Sequence, residues 1–211
     1  MGKTMMLKHN KWLLRFLILA LVLGLQLLYL PLNRGLSGGV EPVIPFDAQI
    51  PLQPAWVFIY LAALPGWFGA LLWATLKMDD RLYRISILTA LFAIFVGVIT
   101  YITYPTYVLR PEVPGQGLAA DLLRWVYAND RPYNALPSSH VYLTVIIALL
   151  WSRWKPKFRW VWLVLALAVC LSTLFTKQHY VLDVLGGTLL ALLAYSLAVW
   201  VERKRGEKLK R

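Results

Sequence analysis

Cysteine and charged residues are both scarce in this chain of 211 residues. A single cysteine, Cys170, excludes an intrachain disulfide scaffold and a cysteine-based zinc site. Charged residues make up 15% and hydrophobic residues 59%, whereas a soluble domain has about 25% and about 45–50%. One compact body of this size cannot bury that apolar excess, and disordered chains are poor in apolar residues. The composition therefore excludes both classes and predicts an integral membrane protein.

Six apolar stretches are long enough, or nearly so, to cross a membrane as helices. A crossing takes about 20 residues, because the hydrocarbon layer is about 30 Å thick. The stretches are residues 12–30, 55–76, 85–104, 139–154, 160–175 and 181–201. The first is too long for the apolar core of a typical signal peptide, which predicts a retained span. The sequence thus predicts an all-α bundle of six transmembrane helices, forming a single domain over residues 1–211.

Basic residues are concentrated at one end of this predicted bundle. Most of the 22 Lys and Arg lie in the two termini and the two even-numbered loops. The positive-inside rule therefore predicts that both termini are cytoplasmic. The basic tail over residues 202–211 is explained by anionic lipid headgroups, so we expect a lipid bilayer and no nucleic acid as partner. On the opposite side, the amphipathic pattern of residues 117–128 predicts a short helix at the interface or over a cavity.

Ionisable residues gather at that opposite, extracytoplasmic end, where each is a functional candidate because charge is costly near membrane depth. His140 opens the fourth span directly after Ser138 and Ser139, and His179 opens the sixth span with Asp183 four residues later. Residues four apart share one helix face, so Asp183 can fix the tautomer of His179 and leave its other nitrogen free to attack. The serines can cap the helix whose N-terminus attracts anions.

Two arginines near these residues suit phosphate oxygens. Arg110 follows the third span, and Arg131 precedes the Pro-Ser-Ser-His segment. A guanidinium presents planar, bidentate donors that match a phosphate group. A nucleophilic His, a proton-donating His and an anion cradle together indicate phosphoryl transfer through a phosphohistidine.

The motifs resemble those of the type 2 phosphatidic acid phosphatase superfamily, which includes the vanadium haloperoxidases. Its second motif, Pro-Ser-Gly-His, is matched by residues 137–140 with Ser139 in place of Gly. Its third motif, Ser-Arg, five residues, His, three residues, Asp, is matched by residues 172–183 with Thr173 in place of Arg. Its first motif, Lys, six residues, Arg-Pro, is matched by residues 103–111 with Thr103 in place of Lys. The resemblance covers residues 103–183, about half the chain.

This resemblance implies a six-helix membrane protein with a site that uses no metal and no cofactor. It implies that His179 is the nucleophile, Asp183 its partner and His140 the acid for the leaving oxygen. Two basic phosphate ligands of the family pattern are missing, and Lys177 is the candidate to replace one of them, with Arg131 as a further candidate. We expect hydrolysis of a phosphatidate-like or prenyl-type lipid phosphate or pyrophosphate at the outer face of the plasma membrane.

Other interpretations remain open. The segment from Ser172 to Tyr180, with Asn134 ahead of Pro137, is most similar to the branch containing the inositol phosphorylceramide and sphingomyelin synthases, which implies transfer of a phospho-headgroup to an alcohol. The missing basic ligands also allow a catalytically silent, lipid-binding relative. A zinc site built from His, His and Asp would need a further strong ligand from an outer carboxylate.

Overall fold

The computed structural model describes the backbone of residues 2–208 and the side chains of residues 10–207. Over these ranges the chain is helical, with isolated β-bridges in the loops but no strand. The α-helices are α1 Gly2–Gln26, α2 Tyr29–Gly35, α3 Val57–Lys77, α4 Asp80–Thr103, α5 Leu118–Asn129, α6 Ser139–Trp154, α7 Arg159–Phe175 and α8 Val181–Lys208. Short 3-10 helices cover Pro45–Gln49, Pro54–Trp56 and Pro156–Phe158. The predicted all-α class is confirmed.

Five stretches of the described residues are long and apolar enough to cross a membrane. They are Asn10–Gly35, Pro54–Lys77, Asp80–Thr103, Pro156–Phe175 and Val181–Glu207, and they correspond to five of the six predicted spans. The protein is therefore an integral membrane protein. Helix α6 has the predicted bounds, but its 16 residues rise only about 24 Å. A sixth crossing and the cytoplasmic location of the termini stay predictions.

The first span is longer than predicted, because α2 extends the helical path to Gly35. Pro31 does not stop it, since Pro31 is the third residue of α2. The first four N–H groups of a helix have no partner within it, so a proline there costs no hydrogen bond.

The core lies where α4, α6 and α8 pack together. Small buried residues allow this, among them Ala93 of α4 and Ala191 of α8. The backbones approach closely at Gly187, where an added Cβ would lie 2.8 Å from the Ser138 carbonyl oxygen. An added side chain would not fit there, so Gly187 allows the beginnings of α6 and α8 to lie side by side.

The end of the bundle opposite the motifs, called the basic end below, is stabilised by hydrogen bonds and ion pairs of buried and half-buried arginines. The buried Arg15 donates to the carbonyl oxygens of Thr75 at 2.8 Å and Met78 at 3.1 Å. Arg84 makes a bidentate pair with Glu202 at 2.8 and 2.9 Å, which joins α4 to α8. The predicted basic tail continues α8 as a helix to residue 208, and its last three residues lie outside the described part of the chain.

The predicted amphipathic helix is confirmed as α5. Its buried Leu123 and Val126 pack against Val57 and Tyr60 of α3. Helix α5 therefore covers the end of α3 that lies beside the motifs, which is called the motif end below.

Candidate active site

Helix α6, which carries His140, is joined near its start to α8, which begins two residues after His179 rather than at it as predicted. The Ser138 N–H donates to the Asp183 carbonyl oxygen at 3.1 Å. The Ser138 hydroxyl also accepts from the Val141 N–H at 3.3 Å and so caps α6, as a serine at this position is expected to do. Ser138 and Ser139 are both buried. The second and third motifs, separate in sequence, thus form one structural unit.

This unit brings the two predicted histidines together. The ring centroids of His140 and His179 are 6.3 Å apart, with planes inclined at 53°. His179 Nδ1 lies 3.4 Å from Asp183 Oδ2, and that oxygen also accepts from the Tyr180 N–H at 2.8 Å. Asp183 is fully buried and His179 nearly so. With Nδ1 beside the carboxylate, Nε2 is the nitrogen of His179 on the opposite side of the ring.

Aromatic side chains of α3 fix the orientation of His140. The Tyr60 ring stacks on the imidazole with centroids 4.1 Å apart and planes 16° apart. Trp67 meets the same imidazole edge-on at 4.8 Å, and its indole N–H donates to the Thr144 hydroxyl at 2.8 Å. Sequence patterns gave no sign of these contacts, because Tyr60 and Trp67 look like ordinary membrane-lining aromatics.

Arg110 reaches the histidine pair through Gln178, the residue before His179. One of its terminal nitrogens donates to the Gln178 side-chain oxygen and the other to the Asp130 carbonyl oxygen, both at 2.5 Å. Its guanidinium also lies 5.0 Å from the centroid of the Tyr127 ring, a cation–π distance. The predicted phosphate ligand Arg110 is therefore positioned next to the third motif by residues from α5 and from the turn after α7.

The other two predicted cations are held by loop carbonyl groups. Lys177 donates from Nζ to the Asp47 carbonyl oxygen at 3.0 Å. Partial burial lowers the pKa of Lys177, and the negative charge of Asp47 opposes that change. Arg131 is exposed, and its guanidinium donates to the Arg34 carbonyl oxygen at 2.6 Å. Its backbone carbonyl, rather than its guanidinium, bonds to Arg110.

The two threonines that stand at the basic positions of the family pattern are used within their own helices. The Thr103 hydroxyl donates to the Ile99 carbonyl oxygen at 2.8 Å. The Thr173 hydroxyl donates to the Cys170 carbonyl oxygen at 2.7 Å. Neither hydroxyl replaces the positive charge of the family's Lys or Arg. The cations that lie within the first and third motifs are Arg110 and Lys177.

A carboxyl group that the sequence did not single out, Asp130, also belongs to this region. It accepts from the Tyr29 hydroxyl at 2.9 Å. Burial raises the pKa of Asp130, while the charge of Arg110, the Tyr29 hydrogen bond and the charge of His179 oppose the increase. Asp130 thus joins α2 to the end of α5 beside Arg110, which donates to its backbone carbonyl oxygen.

Several buried polar atoms near the histidines have no hydrogen-bond partner among the described residues. They include Arg110 Nε, His140 Nε2, Gln178 Nε2, His179 Nδ1 and Asp183 Oδ1. Buried polar atoms are normally paired, so their concentration at one place indicates a site that binds a polar group. No cluster of three or more His, Cys, Asp or Glu that could hold a metal ion occurs among the residues that were described.

An apolar groove runs between α3, α6 and α7, and Thr144, one helical turn after His140, lines it. Its volume is about 600 Å³, within the range of small-molecule sites. Ala62, Gly66 and Gly69 line it from α3 and are exposed, so the groove is open to the side of the bundle. Trp67 and Thr144 line it as well, and Trp67 contacts the His140 ring. Trp67 therefore separates the groove from the His140 ring by a single side chain.

Comparison with known proteins gives a family, a protein of similar sequence and a solved structure of similar fold. A model of the PAP2 superfamily matches residues 27–197. The chain is 39% identical over 71 residues to the bacitracin transport permease protein BcrC of Bacillus licheniformis. That match covers 34% of this chain and 35% of BcrC, so the chain spans about a third of the length of that relative. The fold resembles the crystal structure of Aquifex aeolicus LpxE with a TM-score of 0.50 and 12% identity, covering 82% of this chain and 92% of LpxE.

Proposed function

Because the chain belongs to the PAP2 superfamily, we propose that it is a membrane phosphatase that hydrolyses a lipid phosphate or pyrophosphate through a phosphohistidine intermediate. The observation that carries this proposal is the 6.3 Å separation of the His140 and His179 rings, with Asp183 beside His179. A phosphoryl group held between the two rings has a nucleophile on one side and a proton donor on the other.

In the first half-reaction, His179 Nε2 attacks phosphorus. The P–N bond forms while the P–O bond to the lipid breaks, and protonated His140 gives its proton to the departing oxygen. Asp183, facing Nδ1 of His179, stabilises the positive charge that develops on that ring. The tautomer that carries a proton on Nδ1 leaves a lone pair on Nε2, which is the one that the attack requires.

In the second half-reaction, water attacks the phosphohistidine. Neutral His140 accepts a proton from the water, the new P–O bond forms, and the P–N bond to His179 breaks. Inorganic phosphate then leaves, and His140 has regained the proton for the next cycle. The same two residues thus serve both halves, as microscopic reversibility requires.

The phosphate oxygens need positive partners, and the site offers several. The first N–H groups of α6, which follow the cap residue Ser138, form an anion site with the helix dipole. Arg110 and Lys177 supply full charges, whereas the guanidinium of the third candidate, Arg131, donates to the Arg34 carbonyl oxygen. Because these groups can offset the charge of the transition state, the proposed reaction needs no metal ion.

Lys177 gives a pH-dependent prediction. Its pKa lies below the ordinary lysine value because it is partly buried, so its positive charge is lost as pH rises through that lowered value. An arginine stays charged throughout this range. The alkaline limb of kcat/KM in the Lys177→Arg variant is therefore expected to lie at higher pH than that of the wild type. Lys157→Arg, the same change at the basic end, is the control, and identical limbs for Lys177→Arg and wild type would remove Lys177 from the site.

The apolar groove supports a lipid substrate over a soluble phosphate ester. Its lining residue Trp67 contacts His140, the residue proposed to protonate the oxygen that joins the phosphate to the lipid. It is also open to the side, so a hydrocarbon tail can enter from the bilayer while the phosphate stays at the histidines. Burial of each methylene group in such a groove contributes about 0.8 kcal/mol.

Filling the groove tests this arrangement. A Cβ added to Gly66 meets no atom within 4 Å, so Gly66→Leu places its side chain in the groove without disturbing the fold. We expect KM for a long-chain lipid phosphate to rise about 10-fold, the value of one to two displaced methylene groups, with p-nitrophenyl phosphate hydrolysis within about 2-fold of wild type. Gly24→Leu, at an equally open position on α1, should change neither, and an equal effect of both variants would show that the groove does not hold the tail.

The proposed location of the reaction is the extracytoplasmic face of the plasma membrane. The argument is electrostatic, because the basic end carries Arg15, Lys77, Arg84, Arg153 and further cations, and such residues stay cytoplasmic. The motif end then faces outwards. Labelling single cysteines at the two ends in intact cells with an impermeant thiol reagent tests this orientation.

The direct test of the activity is phosphate release by the detergent-solubilised protein from phosphatidic acid and from a prenyl pyrophosphate, with and without a chelator. Hydrolysis predicts inorganic phosphate in both conditions. A new phosphodiester lipid without free phosphate would favour the transferase instead, which is the activity implied by the similarity of the segment from Ser172 to Tyr180 to the inositol phosphorylceramide and sphingomyelin synthases. Lipid binding without any turnover would contradict both reactions.

A further inference from the structure

Gln178 occupies an unusual place between Lys177 and His179. The chain reverses direction here, with Lys177 at φ +51° and the N–H groups of Gln178 and His179 both donating to the Thr173 carbonyl oxygen, at 3.0 and 3.2 Å. This turn buries Gln178, whose exposed fraction is 3%. A long polar side chain is thus held inside the protein directly beside the proposed nucleophile.

The amide orientation of Gln178 is fixed by its partner. Its side-chain oxygen accepts from Arg110 at 2.5 Å, and a guanidinium has donors only. The NH2 group must therefore be the other end of the amide, and this Nε2 has no partner among the described residues. Arg110 Nε, in the same hydrogen-bonded pair, is also buried and unpaired. Two adjacent donors next to His179 are left without an acceptor.

The geometry points to Gln178 as a phosphate ligand: its Nε2–H2 donates to a non-bridging oxygen of the substrate phosphoryl group, and its Oε1 holds Arg110 so that Nε donates to the same group. This inference rests on the proposed phosphoryl chemistry at His179. A neutral amide then supplies part of the binding that the family pattern obtains from a Lys and an Arg, at the positions of Thr103 and Thr173 in this chain.

Substitution by glutamate separates donation to phosphate from support of Arg110. Gln178→Glu keeps an oxygen for Arg110 but loses the NH2 donor. We expect the Kd for orthovanadate, obtained from the rise in the thermal unfolding midpoint with vanadate concentration, to increase about 10- to 100-fold, as loss of a hydrogen bond to a charged group predicts. A Kd within about 3-fold of wild type would overturn the inference.

The matched control is Gln53→Glu. Gln53 also lies at the motif end and also accepts, through its side-chain oxygen, from a donor-only group, the Trp56 indole N–H at 2.9 Å. The Gln53→Glu variant introduces the same change of charge on an exposed loop, so the Kd of this variant for vanadate should equal that of the wild type. An equal loss in both variants would mean that general repulsion, rather than a missing donor, weakens binding.

A double-mutant cycle tests whether Gln178 acts only through Arg110. Gln178→Met is measured alone and in an Arg110→Met background. If the amide contacts phosphate itself, Gln178→Met still raises the vanadate Kd about 10-fold when the guanidinium is absent. If it raises the Kd only when Arg110 is present, Gln178 merely positions Arg110 and the inference fails. Because vanadate binding is measured without turnover, this outcome is independent of whether the wild type hydrolyses any lipid.

Discussion

Replacing His179 with glutamine is expected to lower the rate of phosphate release from a lipid phosphate by at least about 10⁴-fold, the scale seen when a covalent nucleophile is removed. Glutamine has a similar length and keeps a polar group next to Asp183, which lies 3.4 Å from the imidazole. It has no lone pair basic enough to form a P–N bond, so no phosphoenzyme can form. The fold should survive, since the hydrogen bonds of Asp183 to the Tyr180 N–H and of Ser138 to the Asp183 carbonyl do not involve the ring.

The measurement pairs steady-state phosphate release with mass spectrometry of the protein after an alkaline quench. Wild-type protein should carry one phosphoryl group on the peptide that contains His179, and the variant should carry none. His9→Gln provides the matched control, because His9 is the one histidine outside the motif region 103–183. A His179→Gln protein that unfolds at the wild-type temperature in detergent and retains near-wild-type turnover would disprove the mechanism.

The helical fold was largely predictable, because spans in a membrane protein are set by where apolar residues begin and end. Helices α3, α4, α6, α7 and α8 begin or end close to the predicted positions. The extension through α2 was missed because a proline reads as a breaker, although in the first turn of a helix it removes no hydrogen bond. Helix α6 is short for a transmembrane span, but half of its 16 residues are buried. Protein rather than lipid therefore surrounds much of it.

The core of the site was predictable for a local reason. Ser138 and His140 are fixed relative to each other by the start of α6, and His179 and Asp183 by the turn into α8, so spacing alone defines each pair. Their meeting depends on the close approach at Gly187, which a single sequence shows only as a glycine pair.

Contacts between distant segments could not be read from the sequence. Tyr60 stacks on His140 from another helix, and Gln178 is bonded to Arg110 from a loop far away in the chain. Nothing in the pattern of residue types distinguishes these side chains from lining aromatics or loop amides. The same limit applies to Arg131, whose side chain points to the Arg34 carbonyl oxygen, because a spacing argument fixes the position of a backbone but not the direction of a long flexible side chain.

His140→Gln is expected to lower the hydrolysis of an alkyl lipid phosphate by about 10²- to 10⁴-fold, the usual contribution of general acid–base catalysis. The loss should depend on the leaving group. A lipid alkoxide must be protonated as it departs, whereas p-nitrophenolate is stable without a proton, so transfer from p-nitrophenyl phosphate to His179 should fall less than about 10-fold. Glutamine also keeps a flat side chain between Tyr60 and Trp67, which contact the imidazole at 4.1 and 4.8 Å.

The second half-reaction gives His140→Gln a signature that a purely structural defect would not produce. With p-nitrophenyl phosphate the variant should release a burst of about one p-nitrophenol per protein and then stall, because no base activates water to attack the phosphohistidine. The phosphorylated His179 peptide should therefore accumulate in the variant above its level in the wild type. A variant that loses the same factor on both substrates, with no burst and no trapped phosphoenzyme, would show that His140 only supports the site. Because His140 acts as an acid in the first half-reaction and as a base in the second, its loss should slow both. The better leaving group restores only the rate of the first half-reaction.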